Sequence, residues 1–278
     1  YRAGRYGRIF PCVLLSEAGT VSYLIFDMPE IQNQRLKFFT WKRMVLRFFY
    51  PLWVVASSKK KMDALNERNI LDACAARGRI TIFLHGIAST YYFAPYWIVK
   101  WFTRNGIHMV SLGYDYNADL ATAAKDIKMQ IDAIRERSSI TEINIVGVSL
   151  GGVVGRYYVE ALGGKDITHK LITIFSPIIP PEPGETSIAL SMSKLLSHGT
   201  AERSASQNRV IKDTFAVRNY LAIYGTSDWI VGKRMYPLKQ VPESVRQVPL
   251  AGGHMLVTYN TDAAEVALDY LQECSVSG

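Results

Sequence analysis

The chain has 278 residues, of which 49% are hydrophobic and 20% charged, the proportions of an ordinary globular protein rather than a repeat or low-complexity one. Its length suffices for one large α/β domain with a well-buried core. The formal net charge of +8 is uneven: residues 1–78 hold 13 Lys/Arg against 6 Asp/Glu, and residues 79–278 hold 19 against 18. The basic character therefore belongs to the N-terminal region, and nothing in the charge pattern calls for a nucleic-acid partner.

In chain order, Phe10 to Ser16 and Val21 to Phe26 flank Glu17-Ala18-Gly19-Thr20 and read as a β-hairpin, a source for the antiparallel first strands of a larger sheet. Next, Phe38, Trp41, Val45, Phe48 and Leu52 recur at helical spacing, with Arg43 and Arg47 on the other side. Such a helix either lies in a membrane interface, making residues 35–61 a peripheral membrane contact, or docks its apolar stripe as ordinary core. It cannot span a bilayer, because its charge-free part, Phe48 to Ser58, is too short. Lys59-Lys60-Lys61 reads as a solvated helix end.

From Arg79 the pattern alternates: strand 79–84, helix 93–104, strand 107–112, helix 118–137, strand 142–146, helix 150–162, strands 170–175, 219–224 and 245–250, then helix 262–273. Alternation of that kind predicts a mostly parallel sheet covered on both faces. The organisation expected is a basic extension over 1–78, a catalytic domain over 79–278, and a cap or lid within 178–215. The cap's Ser-rich stretch fits an ordinary surface helix equally well.

The first of these strands ends in His85-Gly86-Ile87. Gly86 lets the chain turn there without a Cβ clash. His85 precedes the turn and is expected to pack it rather than act as a base. The aromatic run Tyr91 to Trp97 then either lines an acyl pocket or packs its helix.

Gly147-Val148-Ser149-Leu150-Gly151 fits G-x-S-x-G, the pattern of a nucleophile elbow. A serine at the tip of a strand-to-helix turn sits in a strained backbone, and the flanking glycines make room for it. An ordinary Gly-rich turn fits the same five residues, so the decision falls downstream. There, Asp228 follows the strand Tyr220 to Tyr224, where catalytic groups of open α/β sheets collect. His254 stands in the Gly-rich loop between the last strand and last helix. Nucleophile, acid and base thus come in one of the orders known for this chemistry.

Taken together, Thr81-Ile82-Phe83-Leu84-His85-Gly86-Ile87, the Val148-Ser149-Leu150-Gly151-Gly152 elbow, Ile223 to Val231 and Gly252-Gly253-His254-Met255-Leu256 resemble the α/β-hydrolase superfamily, in particular compact class 2 lipases of the Bacillus lipase A type. The resemblance runs from Arg79 to the C-terminus. It implies an α/β-hydrolase fold and a triad of Ser149, Asp228 and His254. The backbone N–H groups of Ile87 and Leu150 then form the oxyanion hole. Two departures stand out: Val148 where many such lipases carry His, and the N-terminal extension.

The activity expected is hydrolysis of carboxylic esters of apolar acyl chains through an acyl-enzyme, as a lipase or esterase, with a lipid or ester substrate and without cofactor or metal. A non-catalytic subunit of a membrane-associated assembly and an acyltransferase using the same triad are the competing readings. Cys12, Cys74 and Cys274 have no metal-ligand spacing and favour free thiols, which points to an intracellular or organellar location over a secreted one.

Overall fold

The computed structural model describes residues 12–15, 21–24, 41–76, 78–87, 89–177, 215–228, 241–252 and 261–273, leaving the side chains of 12–15, 21–24 and 41–56 undescribed. The chain divides into two compact units, Tyr1–Leu52 and Trp53–Gly278. The smaller holds β1 (Cys12–Leu15) and β2 (Val21–Leu24), paired antiparallel with Cys12 opposite Leu24. This is the expected hairpin, but it forms a two-stranded sheet of its own and contributes no strand to the larger sheet.

The larger unit is built on a six-stranded sheet. Its strands are β3 (Ile80–Leu84), β4 (Met109–Leu112), β5 (Ile143–Val148), β6 (Thr168–Ile174), β7 (Tyr220–Gly225) and β8 (Val245–Leu250). They run in the order β4-β3-β5-β6-β7-β8 and every pair is parallel. Parallel strands need crossovers, and helices α2 (Pro95–Arg104), α3 (Leu120–Glu136) and α4 (Leu150–Ala161) supply the first three. Helix α5 (Thr261–Gln272) follows β8.

Strand residues alternate between two cores, as a period of two requires. Ile82, Leu84 and Ile145 face α3 and α4 with Ile127, Ile131 and Val154. Phe83 and Val146 face α2 and α5 with Val99, Phe102 and Ala267. Burial on both faces explains why these strands read as unbroken apolar runs.

Helix α1 (Trp41–Ala75) departs from the sequence pattern. The lysines at 59–61 lie inside it rather than at its end, and the helix continues through them because Met62, Ile70 and Ala73 bury on the sheet. Met62 joins the α2/α5 core and Ile70 the α3/α4 core, so the helix passes the outer edge of β4 from one face to the other. There it replaces a strand. Asn66 Nδ2 donates to the Ser111 carbonyl at 2.9 Å, and the Ser111 N–H donates to Asn66 Oδ1 at 3.0 Å. Fully buried Asn69 donates to the Met109 carbonyl at 2.6 Å. With those groups bonded, the β4 edge is closed to another strand.

Among the described residues, no helix is long and apolar enough to cross a membrane. No group of three or more potential ligands able to hold a metal ion occurs among them either. Cys74 is a free, half-buried thiol.

Candidate active site

The first strand crosses to β4, and the chain then returns past β3 to β5. A crevice opens at the carboxyl ends of strands where the winding direction reverses, and ligands of open α/β sheets bind there. Ser149 stands at that point, between β5 and α4, as the residue before the helix. Its backbone has φ 53° and ψ −122°, a conformation L-residues rarely adopt. Strain of that kind costs about 1–3 kcal/mol and is held by its surroundings.

Those surroundings are visible in the glycines. A Cβ on Gly147 would come within 2.5 Å of the Gly151 carbonyl, and one on Gly151 within 2.3 Å of the Leu84 carbonyl. Both positions therefore exclude any side chain, which lets α4 start directly against β3 and β5. The Ser149 N–H donates to the Ile174 carbonyl at 2.9 Å, which fixes the turn to β6. The Gly147–Gly151 turn has the strained backbone that the G-x-S-x-G pattern implies.

Gly86 packs on the serine: a Cβ there would stand 3.3 Å from Ser149 Cβ and 3.9 Å from Oγ. The chain at Gly86 thus lies directly against the Ser149 turn. Leu150 opens α4, where first-turn N–H groups have no intrahelical acceptor and carry the positive end of the helix dipole. The loop is anchored from behind. His85 is buried and stacks on Tyr114 at 4.5 Å with 10° between the planes. The Tyr114 hydroxyl donates to the His85 carbonyl at 2.5 Å, and His85 Nδ1–H donates to the Gly86 carbonyl at 2.9 Å. Burial holds the His85 imidazole below its ordinary pKa, with the Gly86 hydrogen bond opposing. The ring packs the turn.

Asp228 is buried three residues past β7, and its N–H donates to the Gly225 carbonyl at 3.3 Å. A belt of main-chain bonds continues across the strand tips. Phe175 N–H reaches the Ile223 carbonyl at 2.8 Å, Thr226 N–H the Leu250 carbonyl at 2.9 Å, and Ser227 N–H the Gly252 carbonyl at 3.1 Å. The belt ties the Asp228 turn to Gly252, two residues before position 254. His254 itself lies outside the described residues, as does all of the expected 178–215 cap except Phe215. Ser149 and Asp228 are thus set at the same end of the sheet, on β5 and β7, with β6 between them. Two strand spacings separate their strands by about 10 Å.

Sequence reasoning missed Phe175. This buried aromatic also has a positive φ, 52°, and its ring fills the space a Cβ on Gly225 would need, at 2.3 Å. It supports the turn leading to Asp228, and no propensity flags an aromatic residue in that conformation. Tyr114 was missed for a similar reason: its hydroxyl meets a backbone carbonyl far away in sequence.

Comparison with known proteins identifies the family. Residues 81–224, just over half of the chain, match the family model described as palmitoyl protein thioesterase. No curated protein sequence matches the chain. Among solved structures, the monoacylglycerol lipase of Paleococcus ferrophilus is similar with a TM-score of 0.51 and 15% identity, over 70% of this chain and 94% of that one. Epoxide hydrolase A of Mycobacterium thermoresistibile gives 0.50 and 11% identity, over 70% and 91%. At such identities the likeness concerns the fold alone, and it agrees with the parallel sheet and elbow described above. The chain has the α/β-hydrolase fold and belongs to the palmitoyl protein thioesterase family of hydrolases.

Proposed function

We propose that the protein is a serine hydrolase that cleaves carboxylic esters of apolar acyl chains through an acyl-enzyme. The observation that carries this reading is the strained Ser149 backbone, φ 53°, with the Gly86 turn packed on its Cβ. A serine held in that conformation, at the mouth of an open helix N-terminus, is arranged for attack on a carbonyl. Ser149 Oγ attacks while His254 takes its proton; Asp228 orients the imidazole and stabilises its cation. The N–H groups of Ile87 and Leu150 receive the oxyanion. His254 then protonates the leaving group, and water releases the acid.

The family match favours a second reading of the leaving group, a thiolate instead of an alkoxide. The same residues serve both, because the acyl-enzyme is common to the two. Fluorophosphonate labelling tests the serine: wild type should be labelled and Ser149→Ala should not. Matched oxygen and sulfur esters of one apolar acid then rank the leaving groups. An unlabelled wild type would turn the reading toward a non-catalytic subunit, and acyl transfer to an added alcohol in preference to water would turn it toward an acyltransferase.

The basic, aromatic stretch 35–61 is part of the same proposal as a peripheral membrane contact, on its sequence pattern. It predicts sedimentation with anionic liposomes, partly reversed by salt and lost in Trp41→Glu.

A further inference from the structure

Tyr114 stands two residues past the end of β4, and its side chain reaches across to the chain that leaves β3. The hydroxyl donates to the His85 carbonyl at 2.5 Å, and the ring lies flat on the His85 imidazole, 4.5 Å between centroids and 10° between planes. One residue thus holds His85 by its main chain and by its side chain. Both residues are buried, so water is not at hand to take over either contact.

These two contacts bear on two successive peptide planes. The His85 carbonyl belongs to the peptide that joins His85 to Gly86. It is confined on a second side by α4, because a Cβ on Gly151 would come within 2.6 Å of its oxygen. The imidazole carries the constraint one residue further, donating from Nδ1–H to the Gly86 carbonyl at 2.9 Å. That carbonyl shares its peptide with the Ile87 N–H, the donor proposed above for the oxyanion. A trans peptide is planar with its N–H opposed to its C=O, so holding the carbonyl sets the direction of the N–H.

Tyr114 is fixed in turn by the residue before it. Gln130 on α3 donates to the Gly113 carbonyl at 2.7 Å, and a Cβ on Gly113 would stand 2.8 Å from the Tyr91 ring. The chain entering Tyr114 is therefore bonded at its carbonyl and packed at its Cα.

We infer that Tyr114 is a positioning residue for the Ile87 oxyanion donor, acting through His85 and touching no substrate. The inference rests on the serine-hydrolase reading. The hydroxyl is the group that matters, since the ring packs in the core under α3 and α4 whatever the reaction. Preorganised donors act where charge develops, so a small displacement of one is felt in the transition state and not in substrate binding. A tyrosine that merely satisfied a buried carbonyl would act on stability alone.

Tyr114→Phe keeps the ring and removes the hydroxyl. With p-nitrophenyl butyrate, kcat should fall on the order of 10- to 100-fold while KM changes by less than about twofold; the loss is smaller than the roughly 10²–10³ of a deleted donor, because the N–H is displaced and not removed. An alkyl trifluoromethyl ketone gives a second readout. Ser149 Oγ adds to its carbonyl carbon, the π pair becomes an oxyanion and the serine proton passes to His254. Affinity for the ketone should fall by the same factor as kcat, and affinity for the corresponding alcohol, which cannot form that adduct, should not. Unchanged kcat in folded Tyr114→Phe, or equal losses for ketone and alcohol, overturns the role. If Tyr114→Phe melts below the assay temperature, Gln130→Leu takes its place, and the same ketone-selective loss is expected there; its absence counts against the role equally. Fluorophosphonate labelling keeps the two readings apart. Unlabelled wild type removes the serine reading and this role with it, whereas labelled wild type with Tyr114→Phe labelled just as fast removes this role alone.

Discussion

The side-chain amide of Asn66 meets the backbone of Ser111 as a neighbouring strand would, donating to its carbonyl at 2.9 Å and accepting from its N–H at 3.0 Å. One helical residue therefore ends a sheet that would otherwise offer an open edge. Asn66→Ala leaves both backbone groups without that partner, at a cost of about 2 kcal/mol. The expected result is a lower urea midpoint with an unchanged slope, and concentration-dependent association through the uncovered β4 edge. A variant as stable and as monomeric as the parent would show that water already satisfies that edge.

How much of this was legible in the sequence depends on the range of the interaction. The central strands and their helices were readable because each apolar run is local: Ile143 to Val148 buries on both faces, and Ile127, Ile131 and Ile134 repeat at helical spacing. The elbow was readable because its glycines and serine fall within five residues, with Gly147 demanded by its own turn, although what excludes a side chain at Gly151 is the Leu84 carbonyl on β3. Helix α1 was misread at Lys59 to Lys61, because a charged run ends a helix only if nothing beyond it is buried, and Met62 and Ile70 are. The edge role of Asn66 and the conformation of Phe175 depend on partners dozens of residues away. No periodicity or propensity encodes those partners.

Ser149 carries strain that can be measured. A Ser149→Ala change keeps a Cβ at φ 53° and should remove activity with little change in stability. Ser149→Gly removes both the nucleophile and the strained side chain. It should melt above Ser149→Ala by the equivalent of about 1 kcal/mol, although glycine is the more flexible residue in the unfolded chain. If the glycine variant is instead the less stable of the two, the elbow stores no such strain. Ester turnover that persists in either variant would sink the nucleophile assignment.

Lys170 is a buried ammonium on β6 whose Nζ donates to the carbonyls of Tyr270 at 2.6 Å and Glu273 at 2.7 Å, and more weakly to Leu271 at 3.4 Å. It caps the end of α5, where the helix dipole is negative and the last carbonyls lack intrahelical donors. Lys170→Met keeps most of the volume and strands those carbonyls, with an expected loss of about 3 kcal/mol. Hydrogen exchange should quicken first in α5, which packs behind β6 and β7. Equal thermal stability of parent and variant would mean that the cap is replaced by water at no cost.

The pH response of the fold should centre on His85. Burial lowers its folded-state pKa from the ordinary 6.5, so between those two values the unfolded chain binds more protons than the folded one. Unfolding free energy then rises with pH. The stabilisation is complete above 6.5 and declines as pH falls below it, by at most about 1.4 kcal/mol per unit for a single group. Protonation would also place a charge against the Tyr114 ring in the turn that packs on Ser149, so acid should loosen the Gly86 side of the site together with the fold. His169 is shifted the same way, by burial first and then by Arg79, but it is more exposed and solvent screens its share. Urea denaturation between pH 5 and 7.5 separates the two. His85→Gln should flatten most of the slope and His169→Gln little of it, and the opposite ranking would move the acid-sensitive group away from the site.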